Sequence, residues 1–245
     1  MKLNLTIDSG NSSTKLSLFR GETFVGTERY KQLDASMLKR FMANYDIGAV
    51  IVSSVTGNDP EAEAFLSDAV PTFIKLSSAT PLPIRILYRS ANTLGCDRIA
   101  TAVEAWHANA GAPSLIVDVG TATTLDVVDA EGNFLGGNIS PGITMRMKSL
   151  NMLTSRLPLV DKDGETPLFG VDTYTAIRSG VIRGLAYEID GTISSLESRM
   201  PGITTFLTGG DSKLMSGMLS HRVTVDNNML AKGLNRILLY NEKSI

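Results

Sequence analysis

Leu115-Ile116-Val117-Asp118-Val119-Gly120, in the middle of the chain, repeats the pattern of Leu5-Thr6-Ile7-Asp8-Ser9-Gly10 near its start. In both stretches a strand-like segment ends in an acid, and a glycine follows two residues later. A gap-free match at a shift of 110 residues gives the identical pairs Leu5/Leu115, Asp8/Asp118, Gly10/Gly120, Thr14/Thr124, Phe24/Phe134 and Gly26/Gly136. Similar residues fill further positions, such as Leu18 and Val128. A repeat of this length predicts a duplicated domain.

The pattern around the first copy predicts strands at 2–7, 14–19 and 22–30, a helix at 35–44 and a buried strand at 47–53. Further helices are predicted at 97–109, 172–198 and 228–240, and a further strand at 203–207. We therefore expect an α/β protein with two duplicated βββαβ domains, at 1–112 and 113–245, and an active-site cleft between them.

Composition limits the classes of partner. Of the 245 residues, 43% are hydrophobic and 20% charged, which suffices for a buried core without disulfides or structural metal. The formal net charge of -2 argues against nucleic acid or an anionic membrane as partner. Cys96 is the only cysteine, and no apolar run approaches the ~18 residues of a membrane-spanning helix. We expect a cytoplasmic protein.

The turn after the first strand is a candidate phosphate site, with the sequence Asp8-Ser9-Gly10-Asn11-Ser12-Ser13-Thr14-Lys15. Its glycine lets backbone N–H groups approach an anion, and its hydroxyls add donors. An ordinary hairpin turn uses the same residue types. The second copy, Asp118 to Thr124, favours a functional role for these turns, because an ordinary hairpin turn does not require an acid at this position in both copies. Two such loops facing each other would hold a nucleoside triphosphate and a cation.

A third acid lies in Gly95-Cys96-Asp97-Arg98, at the start of a predicted helix. Asp97 could cap that helix, and it could also serve as the base of a phosphoryl transfer, since the two roles are compatible. Arg98 could bind a substrate carboxylate or be a surface cation. The turn Thr208-Gly209-Gly210-Asp211 is equally open between a nucleotide contact and a plain connection. Cys96 is expected to be a small buried residue rather than a nucleophile.

Taken together, these motifs resemble the type III pantothenate kinase family, a branch of the acetate and sugar kinase, Hsp70 and actin superfamily with ribonuclease H-like domains. Residues 8–12 resemble its Asp-x-Gly-Asn-Thr motif, with Ser12 in place of threonine. Residues 95–98 resemble its Gly-Ala-Asp-Arg signature, with Cys96 in place of alanine. Residues 118–124, 173–180 and 208–210 resemble three further family motifs in the right order.

The resemblance implies ATP-dependent phosphorylation of pantothenate to 4'-phosphopantothenate, the first step of coenzyme A biosynthesis, with Asp97 as general base. It implies that ATP is bound by Asp8, Ser9, Gly10, Asn11, Ser12, Ser13, Thr14, Lys15 and Thr121. It implies that pantothenate is bound by Tyr88, Gly95, Cys96, Asp97, Arg98 and Thr173. Asp118 would bind a monovalent cation, potassium or ammonium, and magnesium would accompany ATP. Thr173 would act from a second subunit, so a homodimer is implied as well.

Two other functions stay open on the residues alone. An ATP-binding regulator could keep both loops and lack turnover, although the presence of Asp97 argues against it. A phosphohydrolase could use Asp97 to activate water in place of a substrate hydroxyl. Nucleotide turnover that depends on an acceptor would distinguish the kinase from both.

Overall fold

A computed structural model describes residues 2–10, 13–54 and 60–243 of the chain. The strands are β1 (Leu3–Ser9), β2 (Thr14–Arg20), β3 (Thr23–Tyr30), β4 (Ile47–Ser54), β5 (Thr72–Lys75), β6 (Arg85–Ile86), β7 (Ser114–Val119), β8 (Ala122–Val128), β9 (Asn133–Pro141), β10 (Thr204–Thr208) and β11 (Thr224–Val225). The helices are α1 (Ala35–Met42), α2 (Pro60–Ala69), α3 (Cys96–Ala108), α4 (Ile143–Met152), α5 (Thr173–Glu197), α6 (Ser212–Ser216) and α7 (Met229–Glu242). None of the helices in these ranges is long and apolar enough to cross a membrane.

The chain divides into two compact units. Unit 1 comprises residues 1–107 and 228–245, and unit 2 comprises residues 108–227. In unit 1 the strands lie in the order β3-β2-β1-β4-β5, with β1, β2 and β3 antiparallel and β4 and β5 parallel to β1. This is the βββαβ order that the sequence predicts, and the α/β fold class is confirmed.

The central strands β1 and β4 of the first sheet are largely buried. Leu5 and Leu16 pack with Leu38 of α1 and Leu66 of α2 in one buried cluster. Helix α7 contacts β1 and β4. Its Asn235 accepts a hydrogen bond of 3.0 Å from Asn4 and donates one of 2.9 Å to the Gly21 carbonyl. Two distant segments of the chain therefore complete one unit.

In unit 2 the strands lie in the order β11-β10-β7-β8-β9. Strands β7, β8 and β9 form antiparallel hairpins, and β10 pairs in parallel with β7. The long helix α5 buries Ile182, Leu185 and Ile189 against this sheet. Its start is fixed by a capping box, in which the Asp172 carboxylate accepts a hydrogen bond from the Thr175 N–H at 2.8 Å. The predicted bounds of 172–198 are thus those of the helix with its two caps.

The internal repeat is present in the structure, with one correction to its register. In the first hairpin it is Ser9, the residue after the acid, that pairs with Thr14. In the second hairpin the acid itself, Asp118, pairs with Thr124. The second turn is one residue shorter, so the structural counterpart of Thr14 is Thr123, and the match of Thr14 with Thr124 is wrong by one position. In the third strand of each unit, the matching residues are again 110 positions apart. The reason is that the turn between β8 and β9 is one residue longer than the turn between β2 and β3.

Several elements lie outside the predictions. Helix α2, strand β5 and helix α4 were not predicted, since their apolar spacing is weaker than that of the strands around them. Helix α7 was predicted but belongs to unit 1. The division at residue 112 stays a prediction.

Candidate functional site

The turn that follows β1 is closed by short hydrogen bonds. The Gly10 N–H donates to the Ser13 carbonyl at 3.1 Å, and the hydroxyls of Ser9 and Thr14 lie 3.2 Å apart. Lys15 lies directly opposite Asp8 in the hairpin. Asn11 and Ser12, which the sequence assigns to the same turn, lie outside the described residues. The described part therefore has the tight turn that a phosphate loop requires.

The carboxylate of Asp8 lies in a mixed electrostatic environment. The pKa of Asp8 is raised from 3.8 to about 6, mainly by burial. The charge of Asp97 also raises this pKa, and the charges of Lys15 and Arg29 lower it. The charge of Asp97 thus acts on Asp8, and both residues belong to unit 1. A pair of interacting carboxylates is destabilised unless a proton or a cation offsets their charge.

Helix α3 begins so that Asp97 lies in its first turn. The Ile99 N–H donates to the Gly95 carbonyl at 3.1 Å, so Gly95 occupies the cap position and Asp97 does not. The Asp97 carboxylate accepts a hydrogen bond of 2.8 Å from the Arg98 N–H. A Cβ at position 95 would overlap a carboxylate oxygen of Asp97, so the glycine makes room for that carboxylate. The capping interpretation of Asp97 is therefore wrong.

The neighbours of Asp97 form a compact group. The Arg98 guanidinium carbon lies 5.7 Å from the centre of the Tyr88 ring, which is a cation–π contact. Arg98 is only 7% exposed, so it is not a surface cation. The Cys96 thiol donates to the Leu76 carbonyl at 3.4 Å, and burial followed by the charge of Asp97 raises its pKa. A protonated thiol is a poor nucleophile, as expected from the sequence.

The turn that follows β7 is closed by a backbone hydrogen bond. The Gly120 N–H donates to the Ala122 carbonyl at 3.0 Å. The exposed residue Thr121 accepts a hydrogen bond of 3.0 Å from the Gly142 N–H, which precedes α4. A Cβ at position 142 would overlap the Gly120 carbonyl. The N-terminal end of α4 thus lies directly against this second turn.

The Thr208–Asp211 turn lies against Asp118. Thr208 pairs with Asp118 in the parallel ladder, and the Asp211 N–H donates to the Val119 carbonyl at 3.0 Å. Gly209 has a φ of +97°, and a Cβ there would overlap both the Asp118 carboxylate and the Val119 carbonyl. From the sequence, this turn could be either a nucleotide contact or a plain connection. In the structure its backbone lies very close to Asp118, the second acid.

Thr173 is the first residue of α5 and is exposed. It lines a cavity of about 590 Å³ in unit 2, together with Arg146, Ile177 and Gly180. Exposed apolar side chains precede or adjoin it, namely Leu168, Phe169, Val171 and Tyr174.

The structure therefore brings together two groups of the predicted residues and leaves Thr173 apart. Asp8 and Lys15 pair across the first hairpin and the charge of Asp97 acts on Asp8, all within unit 1, and Asp118 and Thr121 lie at one end of the second sheet in unit 2. In the described ranges, no three His, Cys, Asp or Glu side chains converge as a metal site would require. Sequence reasoning missed Arg29, because only the hairpin register places it beside Lys15.

Comparison with known proteins gives a consistent result. A family model for type III pantothenate kinase matches residues 4–195. A type III pantothenate kinase of Phocaeicola vulgatus is 40% identical over 98% of this chain and 100% of its own, and one of Porphyromonas gingivalis is 37% identical over 98% and 100%. Among solved structures, a conserved Baf family protein from Campylobacter jejuni superposes with a TM-score of 0.63 at 21% identity, covering 98% of this chain and 99% of its own. A glucokinase from an Antarctic psychrotroph gives 0.51 at 8% identity, with 98% and 99% covered.

Proposed function

The chain belongs to the type III pantothenate kinase family, whose reaction is the ATP-dependent phosphorylation of pantothenate in coenzyme A biosynthesis, and we propose that Asp97 is the general base of that reaction. The observation that carries this proposal is the hydrogen bond of 2.8 Å that the Asp97 carboxylate accepts from the Arg98 N–H in the first turn of α3. The charge of Asp97 also raises the pKa of Asp8, which supports a role beside the first turn, where an acceptor hydroxyl would meet a phosphate.

The proposed chemistry is a direct transfer. The hydroxyl oxygen of pantothenate attacks the γ-phosphorus of ATP, the bond to the β-phosphate oxygen breaks, and ADP leaves with the electron pair. The hydroxyl proton passes to a carboxylate oxygen of Asp97. Because the transition state is loose, this proton leaves late, and a carboxylate is basic enough. The Arg98 N–H keeps the carboxylate in one orientation.

We assign ATP binding to Asp8–Lys15 and Thr121. The described backbone of the first turn supports this assignment, and so does the positive charge of Lys15 opposite Asp8. Magnesium fits the first acid, because Mg²⁺ is commonly held by one or two carboxylates together with substrate phosphates, and it would relieve the repulsion between Asp8 and Asp97. When bound, the ion neutralises charge on the phosphates.

Asp118 is proposed as the ligand of a monovalent cation, potassium or ammonium. Its carboxylate lies beside the Val119 carbonyl and under the Gly209 backbone, so the oxygen donors that a hard cation prefers are close together. The role of Asp118 is independent of Asp97 and is tested separately below.

Pantothenate binding is assigned to Tyr88, residues 95–98 and Thr173. The buried Arg98 offers a planar guanidinium for the pantothenate carboxylate. Thr173 would come from a second subunit. The exposed apolar residues 168, 169, 171 and 174 support a homodimer, since a patch of this kind is usually covered in an interface. A cytoplasmic location belongs to the same proposal.

Release of ADP from ATP, measured with and without pantothenate, tests the function. Release that requires pantothenate supports the kinase. Release without an acceptor supports a phosphohydrolase, and nucleotide binding without release supports a regulator. Replacing the base, Asp97→Asn, should lower kcat by about 10²- to 10⁴-fold and leave ATP affinity nearly unchanged. Glu131→Gln, at an exposed carboxylate in the turn between β8 and β9, is the matched control and should keep activity. Full activity of the Asn variant would refute the assignment of the base.

A further inference from the structure

A row of charged residues crosses the first sheet beside the phosphate turn. Asp8 on β1 pairs with Lys15 on β2, and Lys15 pairs with Arg29 on β3. Residues directly opposite each other in antiparallel strands point to the same face, with Cβ atoms roughly 5 Å apart. Arg29 therefore shares a face with Lys15 and with Asp8, at the edge of the sheet.

Both cations of this row lack a partner in the described ranges. The side chain of neither Lys15 nor Arg29 makes a hydrogen bond or an ion pair with a described residue, and Arg29 is exposed. Other arginines of the chain are bonded, namely Arg146 to Glu188, Arg178 to the Asp161 carbonyl, Arg183 to the Thr166 carbonyl and Arg236 to Glu22. Lys15 and Arg29 both lower the pKa of Asp8, so their positive charge reaches the end of β1.

We propose that Arg29 is a second cation of the nucleotide site and binds phosphate oxygens of the triphosphate beside Lys15. This inference rests on the proposed function, because it requires a nucleotide at the first turn. An arginine suits the task, since its planar fork donates two parallel hydrogen bonds to a phosphate and stays charged at any physiological pH. The exposed edge position leaves the guanidinium accessible to a ligand that enters from solvent.

Binding of a series of nucleotides to three variants tests the inference. In Arg29→Gln the charge and the forked arrangement of donors are lost, and in Arg29→Lys only the fork is lost. Arg20→Gln is the matched control, because Arg20 is an exposed arginine at the other end of the same hairpin, five residues from Lys15. Equilibrium dissociation constants are measured for ATP, ADP, AMP and adenosine, and the steady-state KM values for ATP and pantothenate are measured in parallel.

We expect the Gln variant to weaken ATP binding about tenfold, as for a charge-assisted hydrogen bond at an exposed site. The loss should shrink from ATP to AMP and vanish for adenosine, and the salt dependence of ATP binding should become less steep. Arg29→Lys should recover part of the loss, and Arg20→Gln and the KM for pantothenate should not change.

An equal loss for ATP and adenosine, or a loss in Arg20→Gln of the same size, would overturn the inference. So would a rise in the KM for pantothenate alone, which would make Arg29 a ligand of the acceptor. Failure of the proposed function is a separate result: wild-type protein would then release no ADP in response to pantothenate, whatever the nucleotide series shows.

Discussion

The two hairpin turns that follow β1 and β7 descend from one pattern and now differ in what surrounds the acid. At the first turn, Asp8 faces Lys15 across the hairpin and interacts with Asp97 and Arg29. At the second turn, which is one residue shorter, Asp118 faces the neutral Thr124 and lies under the backbone of Gly209. The pKa of the first acid is thus set in part by charged side chains, whereas the second acid lies close to the Gly209 backbone and the Val119 carbonyl.

This difference suggests a division of labour between the copies. Mobile charged side chains can neutralise a ligand whose charge changes during a reaction, whereas fixed carbonyls and a single carboxylate suit a small cation that stays in place. The shortened second turn brings Thr124 opposite Asp118, at the place that Lys15 takes opposite Asp8 in the first turn.

The strongest test exchanges the two acids for amides. We expect Asp8→Asn to lower kcat/KM for magnesium ATP by about 100-fold or more, since the proposed ligand of the phosphate-bound ion is lost. Asp118→Asn should raise the potassium concentration required for activity and leave the magnesium titration nearly unchanged. Both titrations are followed by ADP release. Identical magnesium and potassium responses in the two variants would remove the distinction between the turns.

The next effect is on the stability of the fold, and it comes from the glycine that lies against Asp118. Gly209→Ala forces a side chain into a left-handed backbone and onto the Asp118 carboxylate, and should lower the free energy of unfolding by about 3 kcal/mol. Gly210→Ala is the matched control, because a Cβ there meets no atom within 4 Å. Urea denaturation measures both. A Gly209 variant as stable as its neighbour would mean that the turn moves away from Asp118 at little cost.

The smallest effect is a pH dependence that belongs to the first turn. The pKa of Asp8 is about 6 in the folded chain and near 3.8 when unfolded, so between these values the folded state binds more protons. The free energy of unfolding contributed by Asp8 therefore falls as pH rises from 4 to 6, by about 2 kcal/mol. The difference between wild type and Asp8→Asn, measured by denaturation without ligands over this range, isolates the contribution.

Lys15→Thr sharpens this measurement, because it gives the first turn the residue that the second turn carries opposite its acid. Lys15 lowers the pKa of Asp8, so its removal should extend the falling part of the curve to higher pH. An unchanged curve would show that Lys15 does not act on Asp8.

The sequence predicts those features that local pattern determines. The duplicated hairpins, the helix that Asp172 caps and the grouping of Asp97 with Arg98 all follow from alternation, capping residues and short motifs. The one-residue shift at the second turn escaped prediction, because a deletion in one turn and an insertion in the next leave the overall match free of gaps.

Other features depend on contacts between distant residues. Nothing local in Thr208-Gly209-Gly210 announces that its backbone lies against Asp118, and Arg29 sits in an edge strand without a motif. The capping interpretation of Asp97 was reasonable from residue type alone. It was wrong because the helix begins one residue earlier, at Cys96, and its cap is Gly95.

The packing of α7 on β1 and β4 has a consequence for how the chain is made. Unit 1 needs residues 228–243 to cover its sheet, and these leave the ribosome after all of unit 2 has been synthesised. Unit 2 can therefore fold during translation before unit 1 is complete. During this time Asn4 and the Gly21 carbonyl still lack their hydrogen bonds to Asn235. For that interval the earliest-made part of the protein is the part most exposed to chaperones and proteases.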